Sequence, residues 1–426
     1  MHSLLINFNS IMSSPPQISD TEAHSSTTYH LRAKDIVVGA QMLFIAFGAL
    51  VLVPILTGLN PNVALFTAGL GTLLFQVITG GQVPVLLASS FAFIAPITFG
   101  VQEFGLPATL SGLVAAGLLY LALSLLIFWR GPEMVMRILP PLVTGPVIMV
   151  IGLSLSPIAV QMASEAGDTY SSRAAKIVAA VALLATILTA ILARGMLRLL
   201  PILMGIAVGY GAAFPFGMVD FSPLSASPWF AVPSFTTPSF HWPAIAYIVP
   251  VAIAPAIEHI GDILAISSVT GRPFLQEPGL HRTLLGDGLA TSVAACLGGP
   301  PNTTYSEITG AVALTRAFNP AIMTWAAVLA ILLSFLGKLG AALETIPSPV
   351  MGGVLVVLFG AIVVVGMNSL VKSGDDLVKP RNIIVVSVIL VLGVGGMSLE
   401  AGQFALEGIG LSSLVGVILN WVLPQQ

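Results

Sequence analysis

Four carboxylates interrupt otherwise apolar stretches of this 426-residue chain: Glu258, Asp262, Asp287 and Glu307. An ionisable group at mid-bilayer costs about 2.5–3.5 kcal/mol on insertion scales, so each needs a partner or a task. Glu258 and Asp262 stand four residues apart, which puts both on one face of a helix. Two carboxylates that close repel when both are ionised, and a low-dielectric surrounding penalises each charge. One of the pair is therefore suited to hold a proton and exchange it, and Asp262 and Glu258 are the candidate proton-coupling residues. Glu307 follows an extended-looking stretch, where a helix should begin. A carboxylate there is stabilised by the helix N-terminus and can accept N–H bonds from a neutral ligand, while nearby backbone N–H groups donate to the ligand's carbonyls. The plainer reading is an N-terminal cap. Asp287, in Gly286-Asp287-Gly288, can equally bridge helices near the inner surface. His259 points roughly 100° away from Glu258 on a helix and reads as a hydrogen-bonded packing residue. Phe91 could stack on a flat ring, although an aromatic in an apolar span is usually core. The lone Cys296 provides neither a disulfide nor a thiolate metal site and is expected to be buried ballast.

The elements that must carry these groups follow from composition. The chain is 56% hydrophobic and 8% charged, against about 25% charged in a soluble domain. So few charges cannot cover a water-facing surface, and the class is an all-α polytopic membrane protein. The net charge of −3 implies no nucleic-acid partner. Residues 1–30 are Ser-rich with Pro15-Pro16 and no basic start before an apolar core, so a disordered cytoplasmic tail is expected rather than a signal peptide. Apolar stretches of spanning length fall near 35–57, 62–79, 84–99, 107–129, 135–157, 174–193, 199–217, 243–268, 283–298, 302–317, 320–342, 348–370, 382–398 and 405–423. With a cytoplasmic N-terminus, the inner segments of this fourteen-span layout collect Arg32, Lys34, Arg130, Arg137, Arg194, Arg198, Arg272, Arg282, Arg316, Lys372, Lys379 and Arg381. The outer loops hold only Arg173, Lys176 and Lys338. That asymmetry satisfies the positive-inside rule and also places the C-terminus inside.

Fourteen spans divide into seven and seven, and an odd number per half inverts the second half relative to the first. The third span of each half is the unusual one. Pro84-Val85-Leu86-Leu87-Ala88-Ser89-Ser90-Phe91 corresponds to Pro300-Pro301-Asn302-Thr303-Thr304-Tyr305-Ser306-Glu307. Short, interrupted segments at matching positions point to a midplane binding site, because free backbone groups are tolerated only where they meet protein, water or substrate. Spans 3 and 10 are therefore expected to run extended to mid-membrane and then turn into half-helices.

These same segments carry a resemblance. Gly48-Ala49-Leu50-Val51-Leu52-Val53-Pro54, Ser89-Ser90-Phe91-Ala92-Phe93, Glu258-His259-Ile260-Gly261, Pro278-Gly279-Leu280-His281-Arg282, Pro301-Asn302-Thr303-Thr304-Tyr305 and Pro349-Val350-Met351-Gly352-Gly353 resemble the nucleobase–ascorbate transporter family (nucleobase:cation symporter-2), most closely its bacterial uracil permease branch. The resemblance runs from about residue 35 to the end. It implies a 7+7 inverted repeat with a core domain (31–130 and 240–343, spans 1–4 and 8–11) and a gate domain (131–220 and 344–426, spans 5–7 and 12–14). It further implies that Glu258 and Glu307 bind the polar edge of a nucleobase, that Phe91 packs on the ring, and that main-chain N–H groups near Ser90 and Ser306 bond its oxygens. Tyr305 joins this set. A homodimer through the gate domain is implied as well.

Some positions depart from the family pattern. Glu307-Ile308-Thr309-Gly310 keeps the signature's acid and glycine but has Ile308 where Asn is usual, and Thr315-Arg316 closes it as expected. Asp262 stands where uracil permeases carry His and purine-type members carry Asp. Gln41-Met42 replaces a Gln-His pair, and Phe359 replaces a gate-domain Tyr. Glu307 favours uracil and Asp262 a purine. The expected function is thus proton-coupled nucleobase uptake across the bacterial inner membrane, with uracil as the expected substrate, bound between core and gate domains in an alternating-access cycle, the proton as coupling ion and no other cofactor. The alternatives are a xanthine or purine symporter, or an anion transporter on the same architecture. No His-Glu-x-x-His, Gly-x-Ser-x-Gly or P-loop suggests an enzyme.

Overall fold

The computed structural model describes residues 26–131, 133–134, 140–401 and 404–424. Residues 1–25 of the expected tail, Arg137 and the first residues of the expected fifth span lie outside them. The helices that matter are α1 (Ile36–Thr57), α2 (Pro61–Ile78), α3 (Ile94–Phe104), α4 (Leu106–Arg130), α5 (Pro141–Ser164), α6 (Ser172–Leu192) and α7 (Pro201–Ala213). They continue as α8 (Trp242–Thr270), α9 (Leu280–Cys296), α10 (Ser306–Thr315), α11 (Ala321–Ser334), α12 (Ser348–Lys372), α13 (Pro380–Val394) and α14 (Gly408–Val422). Seven of them are long and apolar enough to cross a membrane: α2, α4, α5, α6, α8, α12, and α1 with the short turn Ala33–Asp35 before it. Five further apolar helices are shorter. Large apolar side chains such as Phe128, Trp129, Ile191 and Trp421 stand on the outside, as a surface in contact with acyl chains requires. The chain is a multi-pass membrane protein.

Helix packing sorts into two groups. Within the first, α4 packs on α9, α2 on α11, α2 on α9 and α1 on α11. Within the second, α5 packs on α12, α6 on α7, α6 on α12, α13 on α14 and α13 on α5. Adding or subtracting seven converts one pair into another: α4–α9 into α11–α2, α6–α7 into α13–α14, and α6–α12 into α13–α5. The interfaces are close because small residues line them. A Cβ on Gly117 of α4 would sit 2.2 Å from Ser292 Oγ and 2.6 Å from the Gly288 carbonyl of α9. One on Gly353 of α12 would sit 2.2 Å from the Ala179 carbonyl of α6.

Several expectations need correction. The fifth helix runs Pro141–Ser164 rather than 135–157, and the eleventh stretch is α11 followed by a separate short helix, Gly337–Glu344. The stretch before α14 is a hairpin, β3 (Ser398–Ala401) paired antiparallel with β4 (Phe404–Glu407); Gly396, in the left-handed region at φ 65°, turns the chain out of α13. Cys296 is exposed rather than buried, because α9's last turn directs Ala294 and Ala295 inward and the next residue outward. The last residues of the expected tail are tied down. His30 donates its N–H to Asn319 Oδ1 at 3.2 Å and accepts from Asn319 Nδ2 at 2.8 Å, while Trp325 Nε1 donates to the Arg32 carbonyl at 2.8 Å.

Candidate functional site

The two interrupted segments meet. Prolines 84, 300 and 301 disfavour helix in the residues before them, and each stretch runs extended into a short strand, β1 (Leu87–Ser89) and β2 (Asn302–Thr304). The strands pair antiparallel, Leu87 with Thr304, Ala88 with Thr303 and Ser89 with Asn302. Further groups of both strands find partners in the surrounding helices. Leu87 N–H donates to Thr72 Oγ1 of α2 at 2.9 Å, and Thr291 Oγ1 of α9 donates to the Asn302 carbonyl at 2.6 Å. Asn302 Nδ2 also donates to the Thr67 carbonyl of α2 at 2.9 Å. Such pairing is what non-helical backbone inside a membrane protein demands.

Beyond the strands each segment turns into helix. Phe91–Phe93 forms a 3-10 turn leading into α3, and Tyr305 is the N-cap of α10. First-turn N–H groups have no partner inside their helix, so both N-termini present donors at the crossing. Ser90 is a partial exception: its N–H donates to the Pro301 carbonyl at 2.9 Å, leaving Phe91 and Ala92 as the first-turn donors on that side. Its side chain is buried with Oγ unpartnered.

A cavity of ≈ 60 Å³ opens here, lined on one side by Phe91, Glu258, Tyr305, Ser306 and Glu307. Ile148 and Ile151 of α5 and Leu358 and Val365 of α12 form the facing wall. Five of the residues singled out from the sequence therefore border one space between the two packing groups. The Phe91 and Tyr305 rings lie 5.9 Å apart, inclined by 42°. Ser306 and Glu307 are open to the cavity and Glu258 is half-buried.

Asp262 does not line the cavity. It is buried one helical turn below Glu258, where Ser306 Oγ donates to Oδ1 and Thr304 Oγ1 donates to Oδ2 at 2.9 Å. His259 is fully buried, with Nε2 3.0 Å from Thr283 Oγ1 and Nδ1 3.3 Å from Thr304 Oγ1, as expected of a hydrogen-bonded packing residue. Asp287 bridges elements as anticipated, but at the crossing rather than near a surface. It is fully buried on α9, accepts from Thr303 Oγ1 at 3.3 Å and lies 3.6 Å from His259 Nδ1. Sequence reasoning missed Thr304 and the apolar wall of α5 and α12. The wall has no sequence signal, whereas Thr303-Thr304, directly before the half-helix, offered one.

Known proteins give this geometry a context. Residues 33–402 match the xanthine/uracil permease profile, described as a permease family. The probable uracil permease of Pasteurella multocida is 56% identical over 393 residues, covering 92% of this chain and 94% of that one. The uracil permease of Bacillus caldolyticus is 48% identical, covering 91% of this chain and 92% of its own. A putative pyrimidine permease of Escherichia coli, RutG, is 40% identical over 92% of this chain and 90% of its own. Among solved structures, the transmembrane domain of the cyanobacterial bicarbonate transporter BicA matches with a TM-score of 0.62 at 14% identity, over 92% of this chain and 99% of that one. The anion transporter Slc26a9 in its inward-facing state matches at 0.63 and 14%, over 92% of this chain and 69% of that one. At that identity the likeness is one of fold, the 7+7 arrangement these transporters share. The chain is a permease rather than an enzyme, and it belongs to the xanthine/uracil permease family, within the nucleobase–ascorbate transporters and on their uracil permease branch.

Proposed function

We propose that the chain is a proton-coupled uracil symporter of the bacterial inner membrane, with both termini cytoplasmic. The observation that carries this reading is the shared cavity onto which Glu258 and Glu307 open beside Phe91 and the start of α10. Uracil presents two N–H donors and two carbonyl acceptors on a flat ring. The carboxylates accept from the N–H groups, first-turn N–H groups of the two half-helices donate to the carbonyls, and Phe91 packs on the ring. Two carboxylates on the cavity weigh against an anion as the substrate, since they would repel it.

The mechanism follows from which elements form each wall. α1–α4 and α8–α11 act as the core domain, α5–α7 and α12–α14 as the gate, in fourteen spans that form an inverted repeat. Asp262 lies under Ser306, so the donor that holds it also borders the cavity. A proton on Asp262 removes the carboxylate charge and weakens its hold on the Ser306 hydroxyl, which alters the donors available at the substrate site and couples the two loads. The loaded core then shifts against the apolar wall of the gate to open the site inward. A homodimer through the gate domain completes the proposal.

Competition uptake in proteoliposomes tests it, with labelled uracil against xanthine, hypoxanthine and uric acid, with and without an imposed pH gradient. Gradient-driven uracil accumulation, poorly inhibited by the purines, is expected. Strong competition by xanthine would reassign the substrate to a purine, as Asp262 hints.

A further inference from the structure

A line of buried polar side chains leaves the cavity floor and ends on α9. Asp262, Thr304, His259 and Asp287 are each at most 4% exposed, and three links join them: Asp262 Oδ2 to Thr304 Oγ1 at 2.9 Å, Thr304 Oγ1 to His259 Nδ1 at 3.3 Å, and His259 Nδ1 to Asp287 Oδ2 at 3.6 Å. The hydrogens available to these links can be counted. Thr283 donates its hydroxyl hydrogen to the Leu280 carbonyl at 3.1 Å, so at 3.0 Å it accepts from His259 Nε2–H. A neutral His259 then offers a bare lone pair at Nδ1. Thr304 holds one hydroxyl hydrogen, for which Asp262 and His259 compete, while Asp287 Oδ1 has no partner. The line is short of hydrogen, and in a buried site each unmet acceptor is costly.

One added proton relieves the shortage in two ways. Placed on Asp262, it is donated to Thr304 Oγ1, and Thr304 turns its own hydrogen to His259 Nδ1. Placed on His259 Nδ1, it faces Asp287, and Thr304 donates to Asp262 again. Moving between these states needs only the two proton shifts along the line: Asp262 becomes a carboxylate as His259 becomes an imidazolium facing Asp287, and the net charge is unchanged.

We propose that the Thr304 hydroxyl is a relay that passes the transported proton between Asp262 and the His259–Asp287 pair, and is thus a positioning residue for coupling rather than for substrate. The idea rests on the proton-coupled reading above. Other titratable groups face the line from several sides: Glu258 on α8, Glu307 on α10 with Tyr305 before it, and Tyr120 on α4, whose buried hydroxyl is unpartnered. α5 contributes none. Glu277 and Arg282, at the turn into α9, are exposed, and His281 packs against Phe128.

The test compares the parent, Thr304→Val and Thr304→Ser in proteoliposomes. It measures uracil affinity by equilibrium binding, gradient-driven accumulation, and substrate-induced proton entry with an entrapped dye. Thr304→Val keeps the shape of the side chain and removes the hydroxyl. It is expected to bind uracil within about threefold of the parent yet lose at least about tenfold in driven accumulation, the scale of one hydrogen bond to a charged group, with proton entry abolished. Thr304→Ser restores all three readouts. Parent-like accumulation and proton entry in Thr304→Val overturns the relay alone. Equal loss of binding and accumulation, or no rescue by Ser, also overturns it, by making Thr304 merely structural. A parent indifferent to the gradient overturns the relay together with the coupling reading.

Discussion

Replacing Glu307 with glutamine changes almost nothing but the charge and the direction of one hydrogen bond. Glu307 is the second residue of α10 and opens onto a cavity whose opposite wall is Ile148, Ile151, Leu358 and Val365. In the proposed complex its carboxylate accepts from a ring N–H of uracil. Hydrogen bonds to a charged group contribute about 1.5–3 kcal/mol. The amide gives back one acceptor oxygen, but its NH2 can face the ligand's N–H as donor against donor. The apolar wall leaves little room for water to mediate. Affinity should therefore fall roughly 10- to 150-fold, the range those energies convert to. Calorimetric titration of uracil into detergent-purified Glu307→Gln and parent protein measures it, with melting temperature as a check that the fold survives. An affinity within about threefold of the parent, in a protein that melts normally, would remove Glu307 from the site and with it the argument from converging carboxylates.

Three further outcomes bear on other parts of the reasoning. Phe91→Ala removes the ring that faces Tyr305 at 5.9 Å; uracil affinity should drop about 3- to 10-fold, the worth of one aromatic contact, and an unchanged titration would make Phe91 mere packing. Asp262→Asn keeps the size of a group held by Ser306 and Thr304 but deletes its exchangeable proton, so uptake should persist down a uracil gradient and ignore an imposed pH gradient; an intact pH response would move coupling elsewhere. Gly117→Ala forces a Cβ to 2.2 Å from Ser292 Oγ and 2.6 Å from the Gly288 carbonyl, an overpacking worth about 1–3 kcal/mol. Its melting temperature should fall while that of Gly211→Ala, whose Cβ meets nothing within 4 Å, should not.

Legibility from sequence followed the strength of local physics. Pro84, Pro300 and Pro301 disfavour helix in the residues before them, and runs of apolar residues of spanning length admit little else in a membrane. The extended stretches now seen as β1 and β2 and the half-helices after them were therefore readable, whereas the meeting of Phe91, Tyr305 and Ser306 with Glu258 and Glu307 at one cavity was implied by the family resemblance rather than by local physics. Hydropathy fails where apolar residues do something other than span. The hairpin Ser398–Ala401 with Phe404–Glu407 is apolar enough to be read as helix ends, and only the left-handed Gly396 marks the break. Ile148, Ile151, Leu358 and Val365 look like any lipid-facing or core residues, because which helix face meets the cavity is decided by packing partners far away in the chain. Thr304 was overlooked for a related reason: its role depends on His259 and Asp262, some forty residues earlier.

The way the broken segments solve their backbone problem also constrains how the protein can move. β1 and β2 satisfy each other and borrow Thr67, Thr72 and Thr291 from α2 and α9. Every one of those partners belongs to the same packing group as the strands, and none to α5 or α12. The crossing draws these hydrogen bonds without help from the opposite wall, which offers it apolar side chains only. Apolar contacts are non-directional, so the wall can slide against the crossing without breaking a hydrogen bond, whereas pulling β1 from β2 would strip donors and acceptors in a place where water cannot replace them. Relative motion is consequently cheap between the two groups and expensive within the first, as the proposed transport cycle requires. A cross-link joining α3 to α10 should leave transport intact, while one joining α3 or α10 to α5 or α12 should stop it. Transport surviving the second kind of cross-link would mean that the groups do not move as bodies.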